Sequence, residues 1–289
     1  MVSAAASKSL VPLTVIILTL NEERNLPYSL RSVVGWAREV IVLDSGSTDR
    51  TVEIGAELGA RVEHHPFEGY ASQRNFALDL DLETEWVLFL DADEILTPAL
   101  KDEIEIVLAG NPGENGFWIN RRFIWMGRWV RRGYYPSWVL RLLRLGAARY
   151  EDRQVNEQVH LAGRAGFLQH DMLHEDRNGV LRWMEKHIRY AEQEARELMR
   201  ENHDGEIPGR LLGTPAERKR WLRHEVWERL PPVARPAMLF SYRFFLRGGF
   251  LDGLPGFTYH LLHDGFYRLL IDLRFIELRR AARGTEATE

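Results

Sequence analysis

Between Leu13 and Leu90 the chain alternates short apolar runs with stretches of helical periodicity, and this rhythm limits the fold more than any other feature. Strands are expected at Leu13 to Leu20, Glu39 to Asp44, Arg61 to His64 and Glu85 to Leu90. The intervening "NLPYSLRSVVGWA", "STDRTVEIGAELGA" and "YASQRNFALDL" read as helices, the second with Ser47 or Thr48 as its cap and Gly59 as its stop. Strand, helix, strand repeated in this way implies an α/β fold with a parallel, doubly wound sheet. Val87, Leu88, Phe89 and Leu90 offer water no polar side, so the fourth strand is expected to be buried on both faces.

Acids begin where these strands leave the core. The first strand runs into "TLNEE", the second into "LDSGSTD" and the fourth into "LDADE", which places Glu22, Glu23, Asp44, Asp49, Asp91, Asp93 and Glu94 at one edge. In an open α/β sheet ligands bind beyond the carboxyl ends of the strands. Gathered carboxylates repel one another in a partly desolvated cleft, and a divalent cation or a hydrogen-bonding ligand would offset that repulsion. Magnesium and manganese take carboxylates together with phosphate oxygens, so a D-x-D turn beside a nucleotide diphosphate is chemically reasonable. A plainer reading has Asp93 or Glu94 capping the helix expected to start at Thr97-Pro98. Ser45, Gly46 and Ser47 form a small-residue turn that lets a ligand approach the backbone.

The chain has 289 residues, 45% hydrophobic and 28% charged, with a net charge of -4. That suits one large domain, or one domain with an appended segment, and shows no basic field of the kind that marks a nucleic-acid binder. The absence of Cys excludes a disulfide framework, thiol catalysis and Cys-ligated zinc, and fits a reducing compartment. Residues 10 to 20, "LVPLTVIILTL", could pass for a signal-peptide core after Lys8, but the continuation offers no small-residue cleavage site and the run is too short to span a bilayer. It is expected to be the first buried strand.

After Gly110 the pattern changes. "GFWINRRFIWMGRWV" and "SWVLRLLRL" read as strands of mixed polarity flanking the site. Residues 180 to 200 predict a helix with Leu181, Met184, Ile188, Ala191, Ala195 and Leu198 on one face, supported by Glu185 with Arg189 and Glu192 with Arg196. "NHDGEIPGRLLGTP" reads as a loop dividing the catalytic region from a C-terminal segment. From Val226 to Arg280 Phe and Tyr are interleaved with Arg, and Lys is absent. This composition suits helices lying on a membrane surface with Arg near lipid phosphates, or a helical pair packed on the catalytic domain.

"TLNEE", "VLDSGSTDRT", "QRNFAL" and "LFLDADE", in that order and spacing, resemble the nucleotide-sugar-binding half of a family 2 glycosyltransferase of the GT-A fold. Further along, "LRLLR", "VNEQV" and the helix with Lys186 and Tyr190 are similar to the lipopolysaccharide-core β-glucosyltransferase branch, the group that includes the WaaE-type enzymes. The resemblance implies a Rossmann-like GT-A domain over residues 10–200, with a donor half at 10–110 and an acceptor half at 111–200, followed by a helical segment at 216–282. It implies inverting transfer of a hexose, glucose in that branch, from a UDP-sugar to a hydroxyl of a cell-envelope glycan or glycolipid such as lipopolysaccharide core. Mg2+ or Mn2+ is the implied cofactor, and the implied location is the cytoplasm, peripheral on the inner membrane.

Carried over residue by residue, the resemblance assigns Thr19, Asn21 and Glu22 to the nucleoside pocket and Asp44 to the base. Ser45 and Gly46 line the donor turn, and Arg74 approaches the diphosphate. Asp91 sits near ribose and metal, Asp93 ligates the metal, and His174 faces the metal or diphosphate. Glu157 is the catalytic base, with Glu151 and Asp152 as rivals. Here the motif reads Val155-Asn156-Glu157 where the branch often has V-H-E, so Asn156 departs from it. His170 precedes His174 by four positions, but no neighbouring residues complete a zinc ligand set. A nucleotidyltransferase would carry a Gly-rich phosphate loop after its first strand, and an aspartyl-nucleophile phosphatase would carry D-x-D there. A non-catalytic binding protein of this fold is the remaining alternative, and retention of Asp44, Asp91, Asp93 and Glu157 together argues against it.

Overall fold

The computed structural model describes residues 9–151, 159–199, 210–222, 225 and 229–286. It opens with β1 (Val11–Thr19), α1 (Leu26–Val33), β2 (Ala37–Asp44), α2 (Thr51–Glu57), β3 (Arg61–His64), α3 (Tyr70–Leu78) and β4 (Trp86–Asp91). Each predicted strand is present within two residues at either end. Then come β5 (Glu94–Ile95), α4 (Pro98–Ala109), β6 (Gly116–Trp125), β7 (Arg128–Trp129), β8 (Trp138–Arg144), β9 (Ala148–Tyr150), β10 (Val159–Leu161) and β11 (Ala165–His174). The helices α5 (Gly179–Met199), α6 (Pro215–Leu222), α7 (Ala234–Ser241), α8 (Gly253–Tyr259) and α9 (Arg268–Glu286) complete the described chain. Short irregular helical turns at Tyr242–Leu246, Gly249–Asp252 and His260–Tyr267 join the last three.

The main sheet runs β3-β2-β1-β4-β8-β6-β11-β5, with β7 hairpinned onto β6. Strands β3, β2, β1 and β4 are mutually parallel, whereas β8 inserts antiparallel between β4 and β6. Helices cover both faces, which is why β1 and β4 carry no polar alternation. Val15, Ile17, Leu88 and Leu90 pack toward Leu30, Leu100 and Ile104, while Ile16, Phe89 and Val87 pack toward Ala71, Ala77 and Tyr150. Burying a side chain of this size contributes about 1.5–3 kcal/mol.

Three local readings differ from the structure. Helix α4 is capped by Thr97, whose hydroxyl accepts from the Leu100 N–H at 3.3 Å, with Pro98 in the first turn, so neither Asp93 nor Glu94 serves as cap. Helix α2 begins only at Thr51, and Asp49 accepts its N–H at 3.0 Å, which leaves Ser47 and Thr48 to the preceding turn. The third difference is in α5. Of the predicted face, Ala191 and Ala195 are buried and Met184 and Leu198 pack against buried clusters, but Leu181 and Ile188 are 79% and 52% exposed, and Trp183 and Glu194 are buried instead. Helix α9 and its leading turn help cover this face, and Glu194 is satisfied there by the Tyr267 hydroxyl at 2.8 Å and Arg268 at 3.2 Å. A buried acid partnered from far along the chain gives no hydropathy signal. Among the described residues, no helix is long and apolar enough to cross a membrane.

Candidate functional site

The parallel register brings the acidic strand ends to one level. Thr19 pairs with Asp44 across β1 and β2, and Leu18 pairs with Asp91 across β1 and β4. Asp44 is buried and fully engaged: its carboxylate accepts from the Thr19 hydroxyl at 3.1 Å, the Gly46 N–H at 2.9 Å, the Ser47 N–H at 2.8 Å and the Ser47 hydroxyl. Gly46 holds φ +97, a conformation that a side chain would strain. Asn21, itself at φ 57, donates its N–H to Ser47 Oγ at 2.8 Å and accepts from the Thr48 N–H at 2.8 Å. These bonds tie the loop after β1 to the loop after β2 and leave a rigid, polar floor. Glu22 accepts from Asn25 at 2.7 Å and from Asn178 at 3.3 Å. Burial pushes its carboxyl up to about 7, with nearby Lys186 opposing the rise and Asp93 adding to it.

At the end of β4 the charges interlock. Asp91 lies between the buried Arg74 guanidinium at 3.0 Å and that of Arg141 at 2.5 Å. Burial alone would raise its carboxyl, but Arg141 and Arg74 bring it down to about 2. Glu94 is fully buried and accepts from the Asp91 N–H at 2.9 Å, Arg121 at 3.3 Å and Arg141 at 3.4 Å. Asp93 meets His174 Nε2 at 3.3 Å. Although burial opposes ionisation of both, each holds the other charged: Asp93 lies well below the ordinary carboxylate range and His174 above the ordinary imidazole range. Lys186 on α5 completes the set. Desolvation works against its ammonium, but Tyr190, Asp93 and Glu22 outweigh that and hold it well above the usual lysine range.

The repulsion expected among the gathered acids is therefore offset largely by the protein's own cations. Arg121, Arg141 and Lys186 were not singled out from sequence for this role. A signal existed in "LRLLR", because an Arg inside a buried strand must be paired. Among the described residues no group of three or more His, Asp or Glu gathers as a ready metal cage. Asp93 and His174 do offer a carboxylate and an imidazole side by side, and the buried His174 Nδ1 has no hydrogen-bond partner. With phosphate oxygens added, and once the His174 imidazolium gives up its proton, that donor set suits manganese. Thr19, Asn21, Asp44, Ser45 and Gly46 are thus linked by hydrogen bonds around the turns after β1 and β2, with Glu22 following β1, and Arg74, Asp91, Asp93 and His174 gather at the end of β4. Glu157 and Asp152 lie outside the described residues, while Glu151 is buried at the end of β9.

Residues 14–170 match the sequence model of Glycosyl transferase family 2. The chain belongs to that family. Its relatives include an uncharacterized glycosyltransferase of Rickettsia typhi, 26% identical over 96% of this chain and 91% of the relative. The lipopolysaccharide core biosynthesis glycosyltransferase LpsC of Rhizobium meliloti is 35% identical over 54% of this chain and 60% of LpsC. In structure, the family 2 chain resembles the mannosyltransferase PcManGT from Pyrobaculum calidifontis, solved with GDP-Man and Mn2+, with a TM-score of 0.53 over 93% of this chain and 88% of that one. At 16% identity that likeness concerns the GT-A architecture alone.

Proposed function

We propose that this family 2 glycosyltransferase moves glucose from UDP-glucose, with inversion, to a hydroxyl of a cell-envelope glycan or glycolipid such as lipopolysaccharide core. The observation that carries the reading is the meeting of the Asp44 turn, the Asp93–His174 pair and the Lys186 ammonium at the carboxyl ends of β1, β2 and β4. The similarity to LpsC supports the acceptor class.

In this reading Thr19, Asn21, Asp44 and the Ser45-Gly46 turn receive the nucleoside, and Glu22 adds a polar contact. Asp93 and His174, the latter as neutral imidazole, would hold a divalent cation, and Asp91 stays anchored by Arg74 and Arg141. A cation bound there neutralises phosphate charge. Lys186 supplies a second positive charge where the leaving group gains its electron pair. The Glu157 carboxylate takes the proton from the acceptor hydroxyl. The acceptor oxygen then bonds to the anomeric carbon as that carbon's bond to the diphosphate oxygen breaks, and UDP departs.

The test is a donor panel of UDP-glucose, UDP-galactose and GDP-mannose, each with Mn2+ or with chelator, scored by thermal stabilisation and by transfer to a truncated lipopolysaccharide. UDP-glucose with Mn2+ is expected to stabilise the protein, by about 2.7 kcal/mol at one hundred times Kd, and to give transfer. Asp93→Asn should abolish the Mn2+ dependence of donor binding while the fold persists. Turnover of GDP-mannose alone, or an unchanged Mn2+ effect in Asp93→Asn, would overturn the donor and metal assignments respectively.

A further inference from the structure

The segment from Tyr242 to Leu261 leaves an unusual amount of apolar surface in water. Phe245, Leu246, Phe250, Leu251, Leu254 and Phe257 are all exposed, Leu246 to 80% and Leu254 to 63%. Phe245, Phe250 and Phe257 share one surface, because Phe244 touches all three with ring centroids at 5.1, 6.2 and 5.7 Å, and Leu246 and Leu251 directly follow Phe245 and Phe250 in the chain. The β6–β7 hairpin joins the same face. Exposed Met126 at its turn is 3.6 Å from the Thr258 hydroxyl, and the Arg132 N–H donates to Asp252 at 2.7 Å. Residues 126–132 and 242–261 together hold five Arg and a single acid, Asp252. Arg243 is used internally by Asp264, so Arg128, Arg131, Arg132 and Arg247 remain as an exposed cationic rim.

We infer that this face docks on an anionic lipid bilayer, with the apolar side chains entering the headgroup boundary and the four arginines meeting lipid phosphates. An apolar patch of this breadth is uncommon on a monomer, and a basic rim around it matches the negative surface of such a bilayer. A second copy of the chain is the poorer occupant, since a two-fold contact would bring the same arginine rims against each other. The surface is narrower than the aromatic stretch read from sequence, because Tyr259 and Tyr267 are buried inside. It also recruits the hairpin arginines, which lie more than a hundred residues earlier. The inference rests on no part of the donor-site reading, although it would place a glycolipid acceptor close to the site: buried Tyr259 connects this segment to Phe123 at 4.5 Å, and Phe123 touches His174 at 5.2 Å.

The test is co-sedimentation of the full chain with phosphatidylcholine vesicles containing or lacking phosphatidylglycerol, at low and high salt. Binding is expected to the anionic vesicles and to weaken with salt. The double variant Leu246→Glu/Leu254→Glu should weaken it by about tenfold or more, given the burial lost per side chain. Arg128→Glu/Arg131→Glu should remove the preference for anionic lipid. Unfolding midpoints of both variants serve as the control, and transfer to a soluble acceptor should be unchanged. Failure of the wild-type chain to sediment, equal binding by the Leu variant, or a Leu-dependent dimer with no vesicle binding would each overturn the inference.

Discussion

Glu22 is the carboxyl whose protonation in the site is set furthest from that of the unfolded chain within the accessible pH range. Burial pushes it up to about 7 from its ordinary 4.5, so between those values the folded protein holds a proton that the unfolded chain has released. The sign follows: this contribution is present in full below about pH 4.5 and is lost as pH rises through 7, up to about 3 kcal/mol. The ligand-free protein should therefore lose stability to urea between pH 5 and pH 8, and Glu22→Gln should flatten that slope. An identical slope in the variant would show that the loss comes from elsewhere. Glu157 poses a different question. As the proposed base it would act in the proton transfer alone, so Glu157→Gln should lower kcat by about 100-fold or more with little change in donor affinity. Glu151→Gln and Asp152→Asn should have far smaller effects. Should either of these abolish turnover while Glu157→Gln does not, the base lies earlier in the chain.

Strand β8 shows how an element contributes to a site that its own sequence does not advertise. By inserting antiparallel beside β4 it carries Arg141 to Asp91, fifty positions earlier, and to the fully buried Glu94. Removing one partner of such a network strands the others in a low-dielectric interior. Arg141→Met should cost about 3–5 kcal/mol in denaturant unfolding, and Arg141→Lys should recover only part, since the shorter lysine chain does not carry its nitrogen to the position of Nη2, from which both bonds leave. A loss under about 1 kcal/mol would mean that Asp91 and Glu94 find other partners. The same element explains what was legible from sequence. Strands β1, β2 and β4 declare themselves because burial on both faces leaves a continuous apolar run, and their acidic ends follow from the run's termination. Thr97-Pro98 announces α4 by local capping chemistry alone. The order β4-β8-β6-β11 depends on pairings between distant segments, so the arginines it delivers and the imidazole of His174 beside Asp93 had no local signature as a group. Helix α5 was legible only in part for the same reason: Ala191 and Ala195 are buried as its apolar stripe predicts, but the burial of Trp183 and Glu194 depends on partners far along the chain.

At the scale of the whole molecule the C-terminal helices are part of the structure behind the site. Tyr259 inserts between Phe123 at 4.5 Å, Tyr134 at 5.3 Å and His263 at 5.1 Å, within a buried cluster that includes Trp125, Val130 and Trp183. The adjoining His260 is also buried, bonded to Asp264 at 2.7 Å and to the Arg132 carbonyl at 3.1 Å, and it lies against Gly133, where a Cβ would come within 2.8 Å of the ring. Cutting the chain before this segment would therefore expose a core and alter the backing of His174, which makes truncation a poor probe of membrane docking. Tyr259→Ala is the sharper experiment. Loss of a large buried aromatic side chain should cost about 3–5 kcal/mol. Because Phe123 would lose its support and Phe123 packs edge-on to His174 at 5.2 Å, the variant should also bind the nucleotide-sugar donor more weakly at temperatures where it remains folded. Tyr259→Phe keeps the ring and should restore both properties, whereas Leu254→Glu on the exposed face should change neither. If Tyr259→Ala lowers the unfolding midpoint but leaves donor affinity measured by calorimetry at the wild-type value, the helices stabilise the catalytic sheet without positioning His174, and the link between the two ends at Phe123.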